Sequence, residues 1–448
     1  IFRTHTVKDL RRSTADNLDT TLSAVWRIAQ HARKQRKKAI CFVTGVPGSG
    51  KTLVGLAAVH AGGQEAKGAF LSGNGPLVAV LREAIARDQS GPERCTTKKA
   101  AMRHAETLIQ NVHRFVDEYG IEYDEAEPPE NVIVFDEAQR AWHSEKLTKH
   151  RKRSSGSGRP LPSEPALALD IMSRRSDWCL IVALVGSGQE IHDGEAGIAE
   201  WGRALCESPV RWQVHVSPVV RDVLNHPIVN LDPSLHLETV VRSPRATALA
   251  QWVDAVLEGR PDDARALIAR LPGFRHGLVR DLEQARAWLL KASRDEMRPG
   301  LVASSGALRL RAEGLEMDTT FQRNYPIERW FLDPHDDVRS SWRLETAMTE
   351  FSCQGLEIDY SCVCWGGDLT LDESMDWSFR KFRGSNWQNV KKSEDQKYLL
   401  NKYRVLMTRA REGMLIWVPR GSERDPTRQP KLYDRVAEYL KRCGMPGV

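Results

Sequence analysis

One stretch decides the fold of this chain: Gly45-Val46-Pro47-Gly48-Ser49-Gly50-Lys51-Thr52. It matches the phosphate-loop pattern G-x-x-x-x-G-K-[ST] at every fixed position. The apolar residues 39–44 before it predict a buried strand, and residues 53–60 after it predict the start of a helix. In that context glycines let backbone N–H groups turn toward phosphate oxygens, and the helix N-terminus adds its positive end. We therefore predict that this loop binds the phosphates of a nucleotide.

The loop residues have separate expected roles. Lys51 would reach the terminal phosphates of ATP, and the Thr52 hydroxyl would hold a magnesium ion. The other loop residues that we expect to surround the phosphates are Gly45, Pro47, Gly48, Ser49 and Gly50.

An acidic pair gives the second strong signal. The apolar run at residues 131–135 predicts a central parallel strand, and it ends in Asp136-Glu137-Ala138-Gln139. Such a pair, downstream of a phosphate loop, is suited to complete a magnesium site. Asp136 would hold the metal through its water shell, and Glu137 would orient and deprotonate the attacking water. The two motifs together predict ATP and Mg²⁺ as ligands.

Two further strand ends carry candidates for nucleic-acid contact. A strand at residues 68–72 leads to Asn74, which is either an ordinary turn residue or a contact to a nucleic acid. A helical stretch leads to His113-Arg114-Phe115, where the arginine could hold a phosphate while the ring stacks on a base. Core packing of Phe115 fits the sequence equally well.

Two other segments complete the first half of the chain. A strand at residues 178–185 ends in a Gly-rich turn with Gln189, which fits a sensor of the γ-phosphate. Residues 146–165 are rich in basic residues, Ser, Gly and Pro, and we expect a mobile insertion there. Its basic residues could contact nucleic acid or only keep the loop solvated.

Composition sets broad limits. With 448 residues, the chain is long enough for two or three domains, and its net charge of +6 is compatible with a nucleic-acid partner. Its eight cysteines show no C-x-x-C spacing, which favours a reduced, cytoplasmic setting. No apolar run approaches the ~20 residues that span a bilayer, so we expect no membrane partner. Because the chain starts at Ile1 rather than Met, we expect it to be a fragment.

In order and spacing, six elements of the chain resemble the motifs of superfamily-one helicases. More closely, residues from about 38 to 420 resemble the bacterial Schlafen group 3-like DNA/RNA helicase domain family. The elements similar to the first through sixth motifs are residues 45–52, residues 136–139, Gln189, Arg242, residues 349–357 and Thr408-Arg409-Ala410. Phe351 stands where many superfamily-one enzymes have His.

The resemblance implies an α/β fold of two RecA-like domains, each with a parallel sheet flanked by helices and with an ATP cleft between them. We expect the domains at about residues 1–235 and 236–448. The resemblance also implies that Arg242 and Arg409 stabilise charge on the γ-phosphate, and that Glu357, at the end of the fifth motif, belongs to the nucleotide site.

The expected function is a motor that couples ATP hydrolysis to movement on single-stranded DNA or RNA. The alternative is a regulatory switch, in which ATP binding signals to an N-terminal effector domain or a partner protein without unwinding. Stimulation of ATP hydrolysis by nucleic acid would discriminate between the two. Family resemblance also suggests a setting in antiviral defence.

Overall fold

The computed structural model describes residues 7–45, 49–61, 63, 66–90, 96–122, 125–155, 160–186, 197–237, 244–271, 273–293 and 297–448. The chain separates into two compact units, Ile1–Val241 and Arg242–Val448. The sequence placed a boundary near residue 235, and the role assigned to each domain stays a prediction.

Unit 1 is built on a parallel sheet. Within the described residues its strands are β1 (Lys38–Gly45), β2 (Gly68–Ser72), β3 (Ile109–Asn111), β4 (Val132–Phe135), β5 (Cys179–Gly186), β6 (Trp212–Val216), β7 (Asn230–Leu231) and β8 (His236–Leu237). Their order is β3-β2-β4-β5-β1-β6-β7, with β8 paired to the end of β1, and every pairing is parallel. Strand β5 therefore lies between the phosphate-loop strand and the strand that precedes the acidic pair.

Helices flank this sheet. Those of the described part of unit 1 are α1 (Val7–Gln35), α2 (Lys51–Ala58), α3 (Gly75–Gln89), α4 (Lys98–Leu108), α5 (Val112–Asp117), α6 (Ser144–Ser155), α7 (Glu164–Ser173), α8 (Gly197–Glu207) and α9 (Arg221–Leu224). The central strands are continuous apolar runs because helices cover both faces of a parallel sheet. Phe42 of β1 and Phe135 of β4 both contact Trp201 of α8, with ring centroids 6.0 and 5.1 Å apart.

The predicted insertion at residues 146–165 is not a loop throughout. Helix α6 covers its first part, because Leu147 is buried and Glu145 pairs with Lys149 one turn away at 3.8 Å. Farther on, the Leu161 N–H donates to Thr148 Oγ1 at 3.0 Å, which ties the end of the segment back to the helix. Residues 156–159 of the predicted insertion lie outside the described residues.

Unit 2 contains a second parallel sheet and a small antiparallel one. Its strands are β9 (Arg275–Val279), β10 (Pro299–Ala303), β11 (Ala347–Thr349), β12 (Ile358–Cys364), β13 (Leu369–Leu371), β14 (Trp377–Arg383), β15 (Asn386–Asn389) and β16 (Ala410–Trp417). The parallel sheet has the order β11-β10-β12-β16-β9. Strands β13, β14 and β15 form the antiparallel sheet.

The helices of the described part of unit 2 are α10 (Pro244–Leu257), α11 (Pro261–Ile268), α12 (Leu282–Ala292), α13 (Thr319–Asn324), α14 (Ile327–Leu332), α15 (Glu350–Cys353), α16 (Ser393–Met407) and α17 (Pro430–Arg442). Helix α16 ends at Met407. Thr408 caps the helix, and the Arg409 carbonyl accepts the Ile358 N–H at 3.1 Å as the chain joins the sheet.

The two parallel sheets with their flanking helices confirm the predicted α/β class. Among the described helices, none is both long and apolar enough to cross a membrane.

Candidate nucleotide site

The phosphate loop joins the end of β1 to the start of α2. Gly50 precedes the helix with a φ of 88°, a conformation that favours glycine. The Lys51 ammonium donates to the Gly45 carbonyl at 2.7 Å, so the side chain lies back over the loop. Pro47 and Gly48, two of the predicted loop contacts, lie outside the described residues.

Two features of this loop suit a phosphate ligand. A side chain at Gly45 would meet Ser49 Oγ at 2.4 Å and Leu237 Cβ at 2.8 Å, so only glycine fits there. Ser49 is 1% exposed, and within the described residues its Oγ has no hydrogen-bond partner. An unsatisfied buried hydroxyl costs about 1–3 kcal/mol unless a ligand pairs with it. The loop therefore fits the phosphates of ATP.

Asp136 lies immediately beyond β4 and is 7% exposed. Ser72 Oγ, at the end of the neighbouring β2, donates to its Oδ2 at 3.1 Å. Burial, and secondarily the charge of Glu137, raise the pKa of Asp136 to about 7. A divalent cation would reverse that shift because it favours the ionised carboxylate. The residue therefore fits a role in holding magnesium.

Glu137 has a strained backbone. Its φ of 50° and ψ of 49° lie in the left-handed region, which costs a non-glycine residue about 1–2 kcal/mol. Gln139 Nε2 donates to the Glu137 carboxylate, and the Gly186 N–H donates to Gln139 Oε1 at 2.9 Å. The carboxylate is thus oriented by an amide that the end of β5 holds in place.

Gly186, the last residue of β5, lies close to residues of both the phosphate loop and the acidic pair. A methyl group there would stand 3.0 Å from Glu137 Oε2, 3.0 Å from Gln139 Nε2 and 3.7 Å from Lys51 Cε. The phosphate loop and the acidic pair, far apart in sequence, are therefore neighbours at the carboxyl edge of one sheet. This arrangement can place a terminal phosphate between an ammonium group and a potential general base.

Thr52 and Asp136 are the two predicted magnesium ligands. Thr52, at the start of α2, is partly exposed. No group of three or more His, Cys, Asp or Glu side chains in the described ranges is arranged to hold a metal. A protein site for Mg²⁺ in a nucleotide complex needs only one or two protein ligands, because phosphates and waters supply the rest.

The predicted nucleic-acid contacts have different environments. Asn74 caps α3, accepting the Leu77 N–H at 3.2 Å, and Arg114 is exposed. Phe115 is 1% exposed in the core of unit 1, so its proposed stacking on a base was wrong. Core packing, the other interpretation that its sequence allowed, is what the structure shows.

His113 belongs to a small aromatic cluster. Its Nδ1 lies 2.7 Å from the buried Glu164 carboxylate, and its ring centroid lies 4.0 Å from that of Trp142. The other Glu164 oxygen accepts the Trp142 N–H at 2.7 Å. Glu164 therefore fixes the segment that follows the acidic pair against the segment that follows β3.

Unit 2 contains the remaining described candidates. Arg409 is 5% exposed, and its guanidinium donates to the carbonyls of Val405 at 2.8 Å and Leu356 at 3.2 Å. Glu357 accepts from Arg411 Nε at 3.2 Å. Neither contact tests the roles that the resemblance implies, which stay predictions. Gln189 and Arg242 lie outside the described residues.

Sequence reasoning missed two supporting residues, Ser72 and Gln139. Ser72 Oγ also accepts the Asn74 N–H at 3.2 Å, so it connects Asp136 to the cap of α3. Both residues stand within or next to the quoted motifs, which is the signal that could have identified them. Their partners, however, become visible only when strands β2, β4 and β5 are aligned.

The sequence model of the family described as Schlafen group 3, DNA/RNA helicase domain, matches residues 38–420. This match covers most of the chain, and the chain belongs to that family. The resemblance drawn from the motifs is thereby confirmed. None of the curated proteins matches the chain.

Two solved helicase structures are similar at low level. The Pyrococcus furiosus Hef helicase domain has 10% identity and a TM-score of 0.30, with 90% of this chain and 96% of that chain covered. A hypothetical ATP-dependent RNA helicase from Sulfolobus tokodaii has 10% identity and a TM-score of 0.24, with the same coverage of 90% and 96%. These likenesses are too weak to carry an argument about this chain.

Proposed function

We propose that this chain is an ATP-hydrolysing motor that couples hydrolysis to movement on single-stranded DNA or RNA. The observation that supports it most is the meeting of Lys51, Glu137 and Gln139 around Gly186. A phosphate-binding ammonium and an oriented carboxylate at one sheet edge are the parts that ATP hydrolysis requires. Membership in a helicase-domain family supports the nucleic-acid partner.

The residues of unit 1 have distinct proposed tasks. Lys51 binds the terminal phosphates, and a phosphate oxygen accepts from Ser49 Oγ, for which the described residues supply no partner. Thr52 and Asp136 hold Mg²⁺, which when bound neutralises charge on the phosphates. Glu137 accepts a proton from the attacking water, and Gln139 keeps its carboxylate aimed.

Four further residues have proposed roles that rest on the sequence motifs and the family resemblance. Gln189 senses the γ-phosphate, and Arg242 and Arg409 stabilise charge that develops on it during hydrolysis. Glu357 contributes to the nucleotide site.

The test is steady-state ATP turnover with and without single-stranded DNA and RNA, at two salt concentrations, with Lys51→Ala as the inactive reference. We expect at least one nucleic acid to raise the turnover of the wild type. The stimulation should fall as salt rises, because phosphate contacts release counterions. If neither nucleic acid changes turnover at low salt, the motor is contradicted and the ATP-driven switch is favoured.

A further inference from the structure

A β-hairpin in unit 2 carries a dense run of positive charge that the nucleotide site does not use. It consists of β14 and β15 and leads directly into α16. Residues 377–392 contain no Asp or Glu, and their basic residues are Arg380, Lys381, Arg383, Lys391 and Lys392. We call the strands and the turn between them the basic hairpin.

The two faces of the basic hairpin differ sharply. Lys381 pairs with Gln388 and Arg383 pairs with Asn386 across the strands, and all four side chains are exposed. Since side chains alternate along a strand, these four share one face, which we call the outward face. Phe382 and Trp387 form the intervening pair and lie on the opposite face, where both are partly buried.

The opposite face anchors the hairpin to the rest of unit 2. Trp387 Nε1 donates to the Thr427 carbonyl at 2.7 Å, and its ring packs so closely on Gly367 that a side chain there would meet it at 2.8 Å. The Arg309 guanidinium lies 5.4 Å from the ring centroid of Phe382. These contacts hold the hairpin against unit 2 and leave its outward face exposed.

The turn between β14 and β15 has a geometry that favours the pairing of the two strands. Strands β14 and β15 are joined by the two residues Gly384 and Ser385, and Gly384 has a φ of 58°. Two-residue loops with a positive φ at their first position match the twist of antiparallel strands. The hairpin therefore keeps its pairing up to the tip.

The basic residues of the outward face, and of the segment that follows β15, have no acidic partner in the described part of the chain. Among the described residues, no ion pair involves Lys381, Arg383, Lys391 or Lys392. By contrast, Arg428, in the segment against which the hairpin packs, is paired with Asp425 at 2.8 Å. Like charges brought together on a rigid surface repel one another unless an anionic partner neutralises them.

We propose that the outward face of the basic hairpin binds the phosphate backbone of a nucleic-acid duplex. Lys, Arg, Asn and Gln are the donors that proteins use on phosphates and base edges, and a two-stranded ribbon fits the major groove of DNA. Single strands are held mainly by stacking on aromatic rings, and here Phe382 and Trp387 face the other way. None of the four residues of the outward face is aromatic, and Phe379, which alternation places on the same side of β14, is partly buried. This composition favours a duplex, whose bases are already stacked.

This inference rests on the proposed function only in taking nucleic acid as the partner. The contact itself requires no ATP, so binding can be measured without nucleotide. It adds a duplex contact in unit 2 to the single-strand contacts expected of the motor.

The test compares two double variants of the full chain. Lys381→Ala with Arg383→Ala removes two charges from the outward face. The matched control, Lys441→Ala with Arg442→Ala, removes the same charges from exposed positions in the last turn of α17. Fluorescence anisotropy at several salt concentrations measures binding to a DNA duplex and to one of its strands.

We expect the hairpin variant to bind the duplex roughly tenfold more weakly at low salt, with a slope of log K against log salt lower by about 1.8. Its binding to the single strand and the control's binding to both should change less than about twofold. Circular dichroism and the melting temperature should stay at wild-type values, because the altered side chains are exposed and form no hydrogen bond or ion pair with the described residues.

Unchanged duplex binding by the hairpin variant would overturn the proposal. An equal loss of single-strand binding would overturn the assignment to a duplex, and an equal loss of binding to polyglutamate would overturn the assignment to nucleic acid. The proposed function fails separately: a wild type that binds duplex but shows no stimulation of ATP turnover contradicts the motor and leaves the hairpin contact standing.

Discussion

The carboxyl edges of the two parallel sheets use the same residue types in opposite ways. In unit 2, Lys402 Nζ lies 3.1 Å from the buried carboxylate of Glu350. Ser305 donates to both oxygens of that carboxylate, from its N–H at 2.8 Å and from its hydroxyl at 2.6 Å. The lysine, serine and glutamate satisfy one another, so this edge needs no ligand to be stable.

In unit 1 the carboxylates and the buried serine of this edge lack partners of that kind. Within the described residues, Asp136 and Glu137 form no ion pair, and Ser49 Oγ has no partner. Burial raises the pKa of Asp136, and Glu137 has a strained backbone. Unsatisfied and strained groups of this kind cluster at functional sites, because the stability that they cost is recovered only when ligands bind. This contrast is our reason for assigning the proposed ATP hydrolysis to the edge of unit 1 and not to the edge of unit 2.

Substitution of the lysine at each edge, Lys51 in unit 1 and Lys402 in unit 2, should give the largest difference in ATP turnover between the two edges. Lys51→Ala should lower ATP turnover by about a thousandfold or more and weaken binding of magnesium ATP, because the main positive charge on the terminal phosphates is lost. Lys402→Ala should leave basal turnover within about twofold of the wild type. It should instead lower the free energy of unfolding by about 3 kcal/mol, since Glu350 keeps a buried charge without its cation.

Turnover assays and urea denaturation measure these two outcomes. Near-normal turnover in a correctly folded Lys51→Ala protein would contradict the nucleotide site. Equal losses of turnover in both lysine variants would remove the distinction between the edges.

Arg409 tests the comparison between the two units, because it is a buried cation of unit 2 with a proposed role in ATP hydrolysis. If it stabilises the γ-phosphate, Arg409→Ala should slow hydrolysis by up to about a thousandfold while changing ATP binding little. Its bonds to the carbonyls of Val405 and Leu356 would be lost as well, so turnover has to be counted per folded molecule.

Arg404→Ala is the control for Arg409. Arg404 forms a partly exposed pair with Asp254 at 2.8 Å, which is worth less than about 1 kcal/mol. Its loss should change turnover little. A loss of turnover in Arg409→Ala no larger than that in Arg404→Ala would assign Arg409 to the fold of unit 2 alone.

The smallest effect concerns stability and pH. In the metal-free protein the pKa of Asp136 is about 7, above its ordinary value of 3.8, so the folded state holds a proton that the unfolded state has lost between these pH values. Stability therefore falls as pH rises through this window. Asp136→Asn removes the penalty and still accepts the Ser72 hydroxyl. At pH 8 without metal it should gain on the order of 2 kcal/mol, or a rise in Tm of about 4–8 °C.

Calorimetry at pH 8 and pH 5 measures this difference, which should shrink at the lower pH, where the wild-type carboxyl is protonated. An Asp136→Asn protein less stable than the wild type at pH 8 would show that the carboxylate is satisfied in the metal-free fold.

Most of the nucleotide site could be predicted because its motifs are local. Lys51 and Asp136 stand at fixed places after apolar strands, so short patterns locate them. The bond between Gln139 and Gly186 joins residues 47 positions apart, and it follows only from the placement of β5 between β1 and β4. Pairing across a sheet depends on strand order, which no local pattern records.

Segments with mixed patterns were harder to predict. Phe115 stands beside Arg114 in a way that suits either stacking or burial, and packing against the sheet decided the outcome. The basic hairpin belongs to no sequence motif, because its polar and aromatic residues do not alternate strictly. Its facing pairs, such as Phe382 with Trp387, become evident from the register of β14 and β15.

We propose that the carboxyl edge of unit 1 hydrolyses ATP and that the similar edge of unit 2 does not. The most direct measurement is ATP turnover and ATP binding by Glu137→Gln and Glu350→Gln, both of which keep shape and remove one charge. We predict that Glu137→Gln binds magnesium ATP normally and hydrolyses it about a hundredfold or more slowly, because the general base is gone. Glu350→Gln should keep wild-type basal turnover with a lower Tm. Normal turnover by Glu137→Gln, or an equal loss of turnover in both variants, would contradict the account.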